Sequence, residues 1–176
     1  MICYTDGSCS GNGTNKAKGG YAIVVNTEPN VYVAYCANDI TKEDEGYDVT
    51  NNRMEMKAIL WTLMEYGQAF PPVTVYSDSA YCVNTFTDWM MKWQRNGWKR
   101  PGGKRIENLD LVQMYYNWSI DTDSPLVIDL QKVAGHAEVL GNELADLLAK
   151  GEIDKAISKA IKSNVRLEVH KIAELI

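Results

Sequence analysis

Three β-type runs follow one another near the start of the chain with no helical stretch between them, and only then does a helical stretch lead to a fourth. ICYT, YAIVV and VYVAYCA are short, rich in β-branched or aromatic residues and separated by turn-rich segments, so they read as an antiparallel meander. The connection from Ser8 to Gly20 is a loop by composition. From Asn52 to about Tyr66, Met56, Leu60 and Leu63 recur at helical spacing and Ile59 and Met64 widen the stripe, until Phe70-Pro71-Pro72 stops it. VTVYSD follows as a fourth strand. A helix from Ser79 to about Trp89, a basic segment, a helix over roughly Leu109 to Trp118, a fifth strand at LVIDLQKV (126–133) and a helix starting near Asn142 complete the order. This string, β-β-β-α-β-α-α-β-α, describes one mixed five-stranded sheet, three antiparallel strands plus parallel ones, with helices packed on it: an α/β fold.

At 176 residues the chain makes one domain with a sizeable core. Residues 152–176 form an extension, in which Ile153, Ala156, Ile157, Ala160 and Ile161 predict a packed amphipathic helix; the last stretch, 165–176, reads equally as strand or helix. No apolar stretch approaches the ~20 residues that span a bilayer, and the start lacks a signal peptide. Cys3, Cys9, Cys36 and Cys82 form no CxxC pair, so they read as free thiols of a cytoplasmic protein.

The strand ends carry acids. Asp6 closes the first strand in YTDGS and Asp78 the fourth in VYSDSAY. A helical crossover would lay these strands side by side and parallel, which brings both aspartates to the edge where α/β proteins place their sites. Glu55 opens the helix between strands three and four, and Asp146 lies about a turn into the helix opened by Asn142. Each has an ordinary explanation. Glu55 could close a capping box with Asn52, Asp6-Gly7 could be a turn, Asp78 could cap the next helix, and Asp146 could be an exposed helix position. Four carboxylates gathered in one place would repel unless cations neutralise them. Oxygen ligands of this kind suit Mg²⁺ or Mn²⁺, and two such ions about 4 Å apart clamp a phosphodiester for in-line displacement.

YTDGS, TNNRMEM, YSDSAY and GHAEVLGNELAD, in this order and together with the basic segment, resemble the type 1 ribonuclease H family from about Ile2 to Lys150. The resemblance implies an endonuclease that cuts the RNA strand of RNA–DNA hybrids by a two-metal-ion mechanism with Mg²⁺, leaving 5′-phosphate and 3′-hydroxyl ends. It also implies that Asp6, Glu55, Asp78 and Asp146 bind the metal. Asp6 would bridge both ions, Asp146 would hold the ion that positions water, and Glu55 and Asp78 the ion beside the leaving oxygen. His136 matches the mobile histidine credited with proton handling or product release, in a loop that Gly135 and Gly141 make flexible. Thr50, Asn51 and Asn52 match positions that contact the hybrid, and Cys9, Gly11 and Asn12 would lie near its RNA strand. Ala80 departs from the pattern, standing where a glutamine is common, and the stretch from Lys42 to Asp48 is longer than usual.

Net charge is −5, yet KWQRNGWKRPGGKR, Lys92 to Arg105, holds six basic residues and no acidic one. It resembles the family's basic handle, at about 88–107. Lys92, Arg95, Trp98, Lys99, Arg100, Lys104 and Arg105 are its candidate substrate contacts, while Trp89 and Trp93 read as a small satellite core. Phosphate contacts of this kind position a duplex without reading its sequence. Two alternatives use the same fold: a non-catalytic hybrid-binding module and a DNA phosphoryl transferase of the wider superfamily. The carboxylate set opposes the first, and TNNRMEM with the handle opposes the second. The expected partner is an RNA–DNA hybrid, with no membrane, and the chain is expected to act as a monomer.

Overall fold

A computed structural model of the chain describes residues 1–44, 46–134 and 138–174. Strands β1 (Ile2–Ser10), β2 (Lys18–Glu28) and β3 (Val31–Ile40) form the expected antiparallel meander. Helix α1 (Asn51–Tyr66) then crosses to β4 (Thr74–Ser77), which pairs parallel with β1, and β5 (Asp129–Lys132) pairs parallel with β4. Between them lie α2 (Ala80–Asn84), a π-helical turn at Thr85–Trp89 and α3 (Met90–Arg95), running on without a break, and then α4 (Leu109–Ser119). Helices α5 (Leu140–Ala149) and α6 (Ile153–Lys162) lead to β6 (Arg166–Lys171).

The sheet has six strands, in the order β5-β4-β1-β2-β3-β6, rather than five. Its extra member comes from the stretch that read as strand or helix: Arg166 to Lys171 alternate in exposure and pair parallel with β3. Strand β2 shows why the sheet is a core layer. Gly19 to Val25 are buried without alternation, because helices cover both faces. Tyr21, Ile23 and Val25 meet α1, whereas Ala22 and Val24 meet Leu144, Ala145 and Leu148 of α5.

Several element ends move from their expected places. β1 runs four residues past Asp6, so the loop between β1 and β2 is 11–17 and not Ser8 to Gly20. The helix after β4 continues through the π turn into the basic segment as far as Arg95. Helix α5 begins at Leu140, before Asn142, and Gly141 is a buried helical residue rather than part of a loop. A Cβ at Gly141 would lie 2.2 Å from the Tyr4 ring, so the glycine lets α5 seat directly on β1. In α6 the small residues Ala156 and Ala160 face inward, while Ile157 and Ile161 are 40% and 71% exposed. Close helix-to-helix approach against α5 selects the alanines and turns the isoleucines outward.

Candidate active site

Parallel pairing of β1 with β4 ends at Thr5 opposite Ser77, so the next residues, Asp6 and Asp78, come off the same step of the sheet. Asp6 does not close β1 as expected. It lies mid-strand, at the point where β1 loses its β4 neighbour but keeps β2. Alternation gives Asp6 the face of Tyr4, the α5 side. Glu55 comes from α1 on the opposite face, and the early end of β4 lets the two carboxylates meet past its last residue. Ser77 Oγ donates to Glu55 Oε2 at 3.5 Å, which fixes the glutamate over that end.

Gly7 makes this approach possible. A Cβ there would lie 2.2 Å from the Glu55 backbone nitrogen, so Asp6-Gly7 is a contact pair within a strand and not a turn. The Gly7 N–H donates to Asp6 Oδ1 at 2.9 Å. The cap of α1 is Thr50, whose hydroxyl accepts from the Arg53 N–H at 3.2 Å. This displaces Asn52 as the cap and removes Glu55 from any capping box, since the third helical residue is Arg53. Likewise Ser79, not Asp78, caps α2 by accepting from the Cys82 N–H. Both acids are thereby free for other work.

Asp6, Glu55 and Asp78 each offer a carboxylate oxygen, and these oxygens lie within 4.8 Å of one another. Asp6 is only 4% exposed. Burial pushes its carboxyl well above the ordinary range, and the neighbouring Glu55, Asp78 and Asp146 push it further. Burial also raises Glu55, and burial with the charge of Asp146 raises Asp78. Lys132 offsets part of the charge on Asp78, but three oxygen donors crowded this closely fit a hard divalent ion. Asp146 stands apart: its Oδ2 accepts from Lys150 Nζ at 3.0 Å, so its charge reaches the group while its carboxylate is paired elsewhere. His136 lies outside the described residues.

The other expected contacts fall into two grooves and a remainder. A groove of about 780 Å³ is lined by Asn12, Thr50, Asn51, Asn52, Arg100 and Arg105 together with Tyr47 and Asn108. Asn12 is anchored there, its side-chain oxygen accepting from the Asn51 N–H at 3.0 Å. A second groove of about 840 Å³ takes Lys92, Lys99 and, again, Arg100 beside Tyr81, Trp89 and Trp93. Trp93 is buried and Trp89 packs against it with ring centroids 6.0 Å apart, the satellite core expected of them. Trp98 lines neither groove and lies edge-on to Tyr116 at 5.3 Å. Arg95 and Lys104 are exposed on the handle, outside both grooves. Cys9 turns its thiol to the Val49 carbonyl, and Gly11 holds φ +66° at the start of the loop.

Two functional-looking residues escaped the sequence reading. Arg53 and Lys57, on either side of Glu55, are 1% and 0% exposed. Arg53 grips Asp110 with both guanidinium arms, at 2.9 and 2.6 Å, and Lys57 donates to Glu43 at 2.6 Å and to Glu174 at 2.9 Å. The sequence carries little signal for them: both cations lie in a largely apolar run, and only the fold shows that from Arg53 to Leu63 all residues but Glu55 are buried.

A mixed sheet of this order, with an acidic cluster where β1 and β4 part, makes a candidate metal site of the kind that metal-dependent nucleases use. Comparison with known proteins agrees. The ribonuclease H family profile matches residues 1–154. Ribonuclease H of a Cyanothece species is 38% identical over 151 residues, covering 84% of this chain and 85% of that protein. Ribonuclease H of Symbiobacterium thermophilum is 38% identical over 157 residues, covering 87% and 94%. Among solved structures, LC9-RNase H1, a type 1 ribonuclease H with the type 2 active-site motif, matches with TM-score 0.64 at 26% identity, over 95% of this chain and 85% of that one. LC11-RNase H1, in complex with an RNA/DNA hybrid, shares the fold at TM-score 0.52 and 21% identity, over 89% and 98%. The chain belongs to the type 1 ribonuclease H family and is a ribonuclease H enzyme. Among the described residues no helix is long and apolar enough to cross a membrane.

Proposed function

We propose that this ribonuclease H cuts the RNA strand of RNA–DNA hybrids endonucleolytically, with two Mg²⁺ ions, or Mn²⁺ in their place, held by Asp6, Glu55, Asp78 and Asp146. The convergence of Asp6, Glu55 and Asp78 carries this reading. When bound, such ions activate water and offset the charge that builds on the phosphate and on the leaving 3′ oxygen. The protein's part is to hold the donors. Gly7 and Ser77 fix Glu55 against Asp6, and Asp146 supplies the fourth carboxylate by leaving Lys150. His136 is assigned proton handling by the family likeness. The groove at Asn12 and Thr50–Asn52 sits at the N-terminus of α1, where backbone N–H groups favour phosphate. The second groove and the exposed Arg95 and Lys104 supply further cations without base readout. The hybrid seen with LC11-RNase H1 is consistent with the substrate class. All four cysteines are free thiols, which suits a reducing cytoplasm.

The test is a labelled RNA–DNA hybrid, with duplex DNA and duplex RNA as controls, incubated in Mg²⁺, in EDTA and with an Asp6→Asn variant. Cutting confined to the hybrid's RNA, lost in EDTA and in the variant, is the expected result. Hybrid binding without cutting in Mg²⁺ or Mn²⁺ would replace the enzyme by a non-catalytic module, and cutting of duplex DNA would move it to the DNA phosphoryl transferases. His136→Ala should lower kcat by about 10²-fold with KM little changed, the usual loss when a proton-transfer group is removed.

A further inference from the structure

Five charged side chains, distinct from the acidic cluster, tie the C-terminal segment to the wall of the first groove. Glu174, two residues beyond the Ile172 amide that pairs with the Cys36 carbonyl, accepts from Lys57 Nζ at 2.9 Å. Lys57 also donates to one oxygen of Glu43 at 2.6 Å, and the other oxygen of Glu43 lies 3.2 Å from Arg53 Nε. Arg53 in turn holds two residues of the groove wall, Asn108 and Tyr47, as well as Asp110. It donates to Asn108 Oδ1 at 3.2 Å, pairs with Asp110, and stacks its guanidinium 4.5 Å over the Tyr47 ring. The Tyr47 hydroxyl closes the circuit by accepting from the Asp110 N–H at 3.3 Å. Asn108 has φ +53°, in the left-handed region that asparagine tolerates better than most residues.

We infer that Glu174 and Lys57 are positioning residues for hybrid binding, acting through Glu43 and Arg53 to set Tyr47 and Asn108 at the groove. The inference rests on the hybrid nuclease reading. Its physical basis is the division of Glu43. Lys57 is fully buried and needs more than one acceptor. With Glu174 present, Glu43 can give one oxygen to Lys57 and keep the other for Arg53. Without Glu174, Lys57 draws on both oxygens of Glu43, and Arg53 loses one of the two carboxylates that hold it over Tyr47. Burial raises the Glu43 carboxyl while Lys57 and Arg53 oppose that rise, so the cluster works as a unit. Apolar residues at positions 53 and 57 could fill the same volume at similar or greater stability. They could not hold an asparagine and a tyrosine ring at the groove.

The test uses the full chain with Glu174→Ala, Glu174→Gln, Lys57→Met and the double variant Lys57→Met/Glu174→Ala. Binding of a fluorescent RNA–DNA hybrid in EDTA and kcat and KM in Mg²⁺ are measured well below the unfolding temperature, and Tm is measured separately by thermal unfolding. Glu174→Ala should weaken hybrid binding and raise KM about threefold or more with kcat retained. Glu174→Gln, which keeps an acceptor for Lys57, should restore part of the loss, and the double variant should be no worse than Lys57→Met alone. A lowered Tm with binding and KM at the wild-type level would overturn the inference, leaving a purely structural ion cluster. Amide exchange at Tyr47, Asp48 and Asn108 separates this from failure of the function reading. If the wild type neither binds nor cuts the hybrid, faster exchange there in Glu174→Ala still supports the coupling, and unchanged exchange sinks it.

Discussion

Arg53, Glu55 and Lys57 stand two residues apart on one helix, yet they belong to opposite electrostatic arrangements. Glu55 joins Asp6 and Asp78 in a group with a single sign, half open to solvent, where burial and the neighbouring acids raise the affinity of Asp6 for protons. Arg53 and Lys57 join Glu43, Asp110 and Glu174 in a group of mixed sign, with every cation closed by carboxylates at 2.6 to 3.2 Å. The first group opposes folding and gains only when a cation arrives. The second pairs its charges within the protein, although Arg53 Nε and Glu43 Oε1 meet at 3.2 Å without hydrogen-bond alignment, and it holds the helix that carries the first. Buried charge thus has two uses in this chain, and the sign balance tells them apart.

Perturbing that balance gives a graded set of outcomes. The largest is Lys57→Ala, which leaves the three carboxylates of the mixed cluster with Arg53 as their cation: leaving buried carboxylates unpaired costs about 3–5 kcal/mol, measured by urea unfolding in EDTA. Next, and opposite in sign, Asp6→Asn should raise the Tm of the metal-free protein. The Asp6 carboxyl binds its proton more tightly folded than unfolded, so its ionisation works against the fold as pH rises above the unfolded value of about 4. The gain should therefore be present at pH 8 and shrink below about pH 4, where wild type and variant carry the same charge. Mg²⁺ should raise the wild-type Tm and leave that of the variant unmoved. A variant less stable than wild type at pH 8 would erase the contrast between the clusters. Smallest is Thr50→Ala, which removes the α1 cap shared by both groups and costs about 1 kcal/mol by the same urea measurement.

The strand–helix order was legible because it rests on local pattern, and the parallel crossover brings Asp6 and Asp78 to one sheet edge without any knowledge of packing. Glu55 and Asp78 also read as capping residues, and it is the family resemblance that singles them out as ligands. What escaped depends on contacts distant in sequence. Thr50 replaces Asn52 as cap because the loop after β1 presents Asn12 to the Asn51 N–H, fixing where the helix begins. Gly7 and Gly141 looked like turn or loop glycines, but each lies under an approaching element, which composition does not reveal. The ion cluster joins residues 43, 53, 57, 110 and 174, and no window of the sequence contains them together. The tail was ambiguous for a related reason. Arg166 to Lys171 is strand because β3 offers an open edge, not because its own residues demand it.

That last pairing sets an order of events. β1, β2 and β3 can close on one another from short loops, but the outer edge of β3 waits for residues some 135 positions later, as Val31 pairs with Arg166. Contacts that distant are made late, since the loop they close is entropically dear. Until then β3 is an exposed edge, open to pairing with the same strand of another molecule. Growth of the unfinished chain at high concentration should therefore favour intermolecular association, which the arrival of β6 brings to an end.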